Sequence, residues 1–403
     1  MGKKKRGVNM RRVAILTSQL TESEAGRIAS KLSQSLPEQY YEKYLVLDNA
    51  QEIAYSYRGD LIDLKTKVSA NLLEKVFRYI KKVYQVKRIK KGYKIDTAIS
   101  FLTEPNIINI ITKKRDKVII VVQKLPQGGV RGLREELGHL FTKLFYQDAD
   151  TIVVPLQEIK QGLMEKFNLE ENKIKVIYNS CAVEKIKKQV REELEVEYRA
   201  LFTYPVIINV GRLSSQKGQW PLIKAFKKVK DEIPSAKLLL LGEGEMEEHL
   251  KRLVADLELE GEVHFPGMPL NPYKFMARAN VCVFPSLYED YPHELCAAMA
   301  CGVPVVATDC PGGPREILAP ETKFEEKTKE IELASCGILI PVCGAGISNY
   351  IEGLTEEEVL LSKSIIRAIK QREDLLHKQV EQAKKRVQEF SGENTMRLWA
   401  REF

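Results

Sequence analysis

At 403 residues with 44% hydrophobic side chains, the chain is longer than one core comfortably organises, so two domains of about 150–200 residues each are expected. No run reaches the roughly 18 consecutive apolar residues a membrane span needs, and the opening Met-Gly-Lys-Lys-Lys-Arg at 1–6 lacks the apolar stretch of a signal peptide. The net charge of +8 is uneven: residues 1–185 hold 34 Lys and Arg against 21 Asp and Glu, and the remainder holds 29 against 34, so the two halves are expected to meet different partners.

The seven cysteines are odd in number, form no C-x-x-C pair and sit mostly in apolar runs, a pattern of a reducing compartment. The expectation is a cytoplasmic protein, peripheral at the inner face of the cell membrane where its charge allows.

Along the chain, apolar runs of β character alternate with helical periodicity, which predicts parallel sheets covered by helices. In the first half, strands are expected at 13–18, 44–47, 97–101, 118–122, 151–154 and 174–177, with helices at 24–35, 70–91 and 156–167 among them. Residues 78–94 carry eight positive charges interleaved with apolar residues. Two readings stay open, a solvated rim helix or a face lying on an anionic membrane. Nucleic acid is not an expected partner, because neither a binding motif nor a series of stacking aromatics accompanies the charge.

A charged, glycine-poor segment at 183–198 interrupts the pattern before a strand at 205–210 restarts it. The expected domains are therefore 1–185, a linker at 186–204, a second α/β unit at 205–385, and a helix at 386–403 returning to the first domain. The second unit is predicted to run strand 205–210, helix 217–231, strand 236–241, helix 245–257, strand 263–265, helix 271–278, strand 280–284, helix 294–301 and strand 303–307.

Open α/β sheets bind ligands beyond the carboxyl ends of their strands, where helix amino termini point. Just beyond the strand ending at Val210 stands Gly-Arg-Leu-Ser-Ser-Gln-Lys-Gly at 211–218. Gly211 permits a tight turn, and Arg212 and Lys217 bracket a loop that suits a diphosphate. An ordinary strand-to-helix turn with surface charges is the competing reading of that motif alone.

The segment 281–308, Val-Cys-Val-Phe-Pro-Ser-Leu-Tyr-Glu-Asp-Tyr-Pro-His-Glu-Leu-Cys-Ala-Ala-Met-Ala-Cys-Gly-Val-Pro-Val-Val-Ala-Thr, delivers Glu289 from a buried strand into a loop and then enters a small-residue helix closed by Gly302. It resembles the donor-binding segment of glycosyltransferase family 4, retaining enzymes of the GT-B fold. Flanking matches are Gly-Arg-Leu-x-x-x-Lys-Gly at 211–218, Leu-Gly-Glu-Gly at 241–244, Phe-Pro-Gly at 265–267 and Thr-Asp-Cys-Pro-Gly-Gly-Pro-Arg-Glu-Ile at 308–317. The resemblance covers residues 174–403 and is strongest from 205 to 318.

It implies two Rossmann-like, doubly wound domains facing across a cleft. It implies further that Arg212 and Lys217 bind the donor phosphates and that Glu289 holds hydroxyls of the transferred sugar. The amides of Asp290, Tyr291, Pro292, His293 and Glu294 would open a helix towards the anion, and Phe265, Gly267 and Met268 would face the nucleobase. No metal and no resident cofactor are implied; the substrate would be a nucleotide-sugar, a UDP-sugar in the first instance, and the acceptor a saccharide or a lipid-linked saccharide.

Three places depart from the family. Its second glutamate, which grips the ribose, is Ala297 here, with Glu294 one helical turn earlier; losing that pair would cost roughly 1.5–3 kcal/mol of donor affinity. On the acceptor side Ser23 and Glu24 replace a Gly-Gly pair, and Gln123 and Lys124 stand where a His or an Arg-Asn pair is usual. None of His139, His249, His264 and His377 falls near the expected donor; His293 alone does. Three readings follow: an active retaining transferase of a divergent branch working in cell-envelope or exopolysaccharide assembly, a degenerate relative acting as a sugar-nucleotide-binding or scaffold partner, or a sugar-nucleotide epimerase of the same fold.

Overall fold

A computed structural model describes residues 10–21, 23–50, 53–66, 72–125, 140–344, 353–370 and 375–403. The basic opening at 1–6 and His139 lie outside them. The chain divides into two compact units, Met1–Asn179 with Thr395–Phe403, and Ser180–Asn394.

The first unit is a seven-stranded parallel sheet. Its strands are β1 (Arg11–Thr17), β2 (Tyr41–Leu47), β3 (Asp60–Asp63), β4 (Thr97–Phe101), β5 (Lys117–Val121), β6 (Thr151–Val154) and β7 (Ile174–Val176), in the order β3-β2-β1-β4-β5-β6-β7. The central strands are mostly apolar because both faces are covered by helices. Val13, Ile15, Ile99 and Ile119 form a core on one face, closed by Leu32 and by Trp399 from the C-terminal helix Gly392–Ala400; Ala14, Leu16, Val46 and Val86 form the core on the other.

The second unit repeats the plan with β8 (Val206–Val210), β9 (Lys237–Leu241), β10 (Val263–His264), β11 (Val281–Phe284), β12 (Val305–Thr308), β13 (Glu332–Ala334) and β14 (Gly337–Ile340). Their order is β10-β9-β8-β11-β12-β14-β13, parallel except for the β13–β14 hairpin. Helices Gln219–Glu232 and Glu356–Lys370 cover the sheet, contributing Phe226, Leu361 and Ile365 to its core. In each sheet the strand order reverses direction beside the first strand, between β1 and β4 and between β8 and β11. Such a reversal parts the loops at the carboxyl edge and leaves room for a ligand.

Two expectations meet a different arrangement. Residues 186–204, read as a linker, belong to the second unit, where helix Val183–Gln189 is pinned by Asn271 Nδ2, 2.9 Å from the Gln189 carbonyl, and Glu195 pairs with Lys274 at 2.7 Å. The return to the first unit begins at Thr395, nine residues later than read, because helix Leu375–Glu389 packs on β14 and helix His293–Cys301. Among the described residues no helix is long and apolar enough to cross a membrane, and all seven cysteines are free, six of them buried.

Candidate active site of the second unit

The two loops that part at the β8–β11 reversal carry the residues singled out above. Beyond β8 the chain turns through Gly211 and Arg212 into a short 3₁₀ turn, Ser215–Lys217, and on into helix Gln219–Glu232. Buried Asn209 fixes the turn from below: its Nδ2 donates to the Val283 carbonyl at 2.7 Å, and Gln219 Nε2 donates to Asn209 Oδ1 and to the Arg212 carbonyl, each at 3.1 Å.

The two loops also interlock. The Leu287 amide donates to the Gln216 carbonyl at 2.8 Å, and Gln216 Nε2 donates to the Tyr288 carbonyl at 2.9 Å. At Gly218, where φ is +68°, a β-carbon would stand 1.9 Å from the Pro285 carbonyl oxygen, so only glycine lets the turn come this close. The loop beyond β12 grips from the other side: the Glu289 amide donates to the Pro311 carbonyl at 2.9 Å, and a β-carbon at Gly312 would lie 1.7 Å from the Glu289 carbonyl oxygen.

Lys217 and Glu289 meet in this cradle. Lys217 Nζ lies 2.9 Å from both carboxylate oxygens of Glu289 and 3.8 Å from Glu294 Oε2, and Ser286 Oγ donates to Glu289 Oε1 at 2.6 Å. The Glu289 side chain is only 8% exposed. Burial pushes its carboxyl above the ordinary value, and Lys217 and Ser286 pull against that shift. Burial also works against the Lys217 charge, but the carboxylates of Glu294 and Glu289 outweigh it and raise the ammonium. Of the ammonium's contacts, the two Glu289 oxygens are within hydrogen-bond reach and Glu294 stands further off, at 3.8 Å. Arg212 is exposed and makes no ion pair among the described residues, and Ser214, in the same loop, is buried with its Oγ unpartnered among them.

Around this centre the other expected donor contacts fall unevenly. Helix His293–Cys301 starts beside Glu289, but Pro292 has no N–H and the His293 amide donates to the Tyr291 carbonyl at 2.9 Å. Pro292 and His293 therefore offer no amide to an anion. Tyr291 is buried, with the His293 ring 4.8 Å from its own. Ala297 is 7% exposed, whereas Glu294 projects one turn earlier with its side chain 38% exposed. Phe265 packs partly on the core, Met268 is exposed, and Gly267 accepts the Gly242 amide at 3.0 Å.

The acceptor-side residues lie in the first unit. Ser23 caps helix Glu24–Ser35 by accepting the Gly26 amide at 3.1 Å, and Glu24 pairs with Arg27 at 2.7 Å, so its charge is answered locally. Gln123, just beyond β5, has a buried Nε2 without an acceptor among the described residues, and Lys124 is exposed. Ser286, Asn209 and the Pro311–Gly312 clamp lie in segments read from the sequence, but no role is expected of them there. Their signals were a Ser directly after a strand, an Asn inside an apolar strand and a Pro-Gly-Gly step.

Known proteins resemble this chain over most of its length. The family described as Glycosyl transferases group 1 matches residues 190–339, which hold all of the centre above. An uncharacterised glycosyltransferase of Methanocaldococcus jannaschii is 34% identical over 352 residues, covering 84% of this chain and 86% of its own length. The chain belongs to the group 1 glycosyltransferases.

A second relative of this glycosyltransferase is the N-acetylgalactosamine-N,N'-diacetylbacillosaminyl-diphospho-undecaprenol 4-alpha-N-acetylgalactosaminyltransferase of Campylobacter jejuni, 27% identical over 77% of this chain and 84% of its own. Among solved structures, a glycosyltransferase from Rickettsia africae superposes with a TM-score of 0.74 over 98% of this chain and 97% of its own, at 15% identity. Anabaena HepE, solved with UDP and glucose, gives 0.70 over 97% and 98%, also at 15% identity. The fold is GT-B, two Rossmann-like α/β domains.

Proposed function

We propose that this glycosyltransferase moves a sugar from a nucleoside-diphosphate sugar, a UDP-sugar, to a saccharide or lipid-linked saccharide acceptor, with retention at the anomeric carbon. The observation that carries the reading is Lys217, oriented by both oxygens of Glu289 at the strand-order reversal, with exposed Arg212 in the same loop. When the anomeric C–O bond breaks, negative charge gathers on the departing β-phosphate. Cations held in a partly desolvated loop stabilise that charge without reorganising, and they supply what a divalent metal supplies in other transferases. The leaving phosphate then takes the proton of the acceptor hydroxyl as the new C–O bond forms on the same face, so no side-chain base is required.

Glu289 would also orient hydroxyls of the transferred sugar, and Glu294 would take the place next to the ribose that Ala297 gives up. Gly211, the Asp290–Glu294 turn and the loop of Phe265, Gly267 and Met268 would complete the donor site, with Ser23, Glu24, Gln123 and Lys124 on the acceptor side. The Campylobacter relative, named for a diphospho-undecaprenol saccharide and a 4-alpha transfer, supports a lipid-linked acceptor and an α linkage, and a lipopolysaccharide core glycosyltransferase of Rhizobium meliloti, 30% identical over 44% of this chain, supports work in the cell envelope.

The test is turnover of UDP-sugars with and without a polyprenyl-diphosphate saccharide, in chelator, following UDP release and the anomeric configuration of the product by NMR. Acceptor-dependent UDP release with an α product is expected. Release of no UDP from any donor would favour the non-catalytic reading that Ala297 raises, and donor conversion without acceptor would favour an epimerase.

A further inference from the structure

The helix Leu72–Gly92 packs Val86, Tyr79, Val83 and Ile89 on the core of the first unit, yet it is apolar on its outward side as well. Among those apolar residues the protein-facing side also buries two lysines, Lys82 at 3% and Lys90 at 6% exposure. Each is neutralised: Lys82 Nζ lies 2.7 Å from both Asp48 Oδ2 and Glu104 Oε1, and Lys90 Nζ lies 2.8 Å from Asp116 and 2.6 Å from Asn109 Oδ1. Its outward side exposes Val76 at 52%, Phe77 at 72%, Ile80 at 60% and Tyr84 at 67%. At about 100° per residue these four and exposed Lys81, Lys87, Arg88 and Lys91 share an arc of roughly 140°.

Water is a poor solvent for that arc, and a neutral apolar partner is a poor fit for its cations. Val76, Phe77 and Ile80 occupy the first half of the helix and Lys87, Arg88 and Lys91 the second, and Glu74 is the helix's only acidic residue. Aromatic and aliphatic side chains beside Lys and Arg match the boundary between acyl chains and phosphate head groups. Of the eight cations counted in residues 78–94, Lys82 and Lys90 are spent internally, so the usable surface begins further upstream, at Val76, than the charge run alone suggests.

We propose that this outward face docks the protein on an anionic lipid bilayer, with Val76, Phe77, Ile80 and Tyr84 entering the interfacial region and Lys81, Lys87, Arg88 and Lys91 pairing with lipid phosphates. The placement has a functional sense. Asp48 directly follows β2 and Glu104 opens the helix Thr103–Ile111 after β4, so their grip on Lys82 sets this part of the helix at the carboxyl edge of its sheet, the edge that carries Ser23, Glu24 and Gln123. A lipid-linked acceptor would reach that edge from the bilayer. This surface is separate from the donor-site residues, so bilayer binding does not depend on turnover.

The test is sedimentation of the full chain with vesicles of phosphatidylcholine containing about 30% phosphatidylglycerol, against phosphatidylcholine alone, between about 0.1 and 0.5 M NaCl. Binding to the anionic vesicles is expected, about tenfold or more weaker on the neutral ones and in high salt. Phe77→Ser with Ile80→Ser should abolish it, and Lys87→Glu with Arg88→Glu should weaken it about tenfold while leaving thermal unfolding unchanged, since all four residues are exposed. Absence of sedimentation with anionic vesicles, or equal sedimentation by the variants, would overturn the proposal. So would a wild-type dimer that Phe77→Ser and Ile80→Ser turn into a monomer, because the face would then belong to a second copy.

Discussion

Lys217 is tied to Glu289 through both carboxylate oxygens, and the tie sets how the centre responds to pH. Burial raises the Glu289 carboxyl, so on acidification it takes up a proton earlier than an ordinary glutamate. Protonated, it grips Lys217 with one oxygen fewer and with no charge. The acid limb of kcat/KM should therefore lie above the ordinary glutamate value of about 4.3, and Glu289→Gln should remove the limb while lowering activity throughout. A pH–rate profile of the two proteins checks this; a wild-type limb at or below the ordinary value contradicts it. The tie itself was not legible in the sequence. Arg212, Lys217 and Glu289 could be chosen because each follows an apolar strand, but residues 72 positions apart announce no contact, and the orienting Ser286 looks like any loop serine.

At the scale of elements, the loops beyond β8, β11 and β12 behave as one unit because backbone approaches backbone where a side chain would intrude. Gly312→Ala places a β-carbon 1.7 Å from the Glu289 carbonyl oxygen, at a φ of +97°. Roughly 1–3 kcal/mol of overpacking and about 1 kcal/mol of backbone strain are expected, taken up by displacement of the Glu289 loop. Chemical denaturation should show the loss, and kcat should fall further than donor affinity; unchanged kcat would mean that the clamp does not position Glu289. The central strands were legible as apolar runs, whereas β3, which includes two aspartates and is only partly buried, and the short β13–β14 hairpin were not. The presumed linker failed for a related reason. Its charges look solvated in sequence, but Glu195 is answered by Lys274, and Asn271 holds both the Gln189 carbonyl and Glu192 from 79 to 82 residues away. The basic run at 78–94 was visible as composition, yet composition could not tell that two of its lysines point inward.

At the scale of the whole molecule, the chain leaves the first unit after Asn179 and returns at Thr395, so the last residues complete a core laid down by the first. Trp399 is 3% exposed among Val13, Ile15 and Ile99. Trp399→Ala should cost about 3–5 kcal/mol in the first unit and leave nucleotide affinity in the second unchanged. Unfolding followed together with calorimetry on UDP separates the two effects. Donor binding turns on the second unit's grip on a diphosphate, and isothermal titration of UDP and of uridine tests that directly. Lys217→Ala and Arg212→Ala should each weaken UDP about tenfold or more and leave uridine, which carries no phosphate, unaffected. Wild-type protein that takes up no UDP at millimolar concentration, or variants that bind UDP as the wild type does, would contradict it.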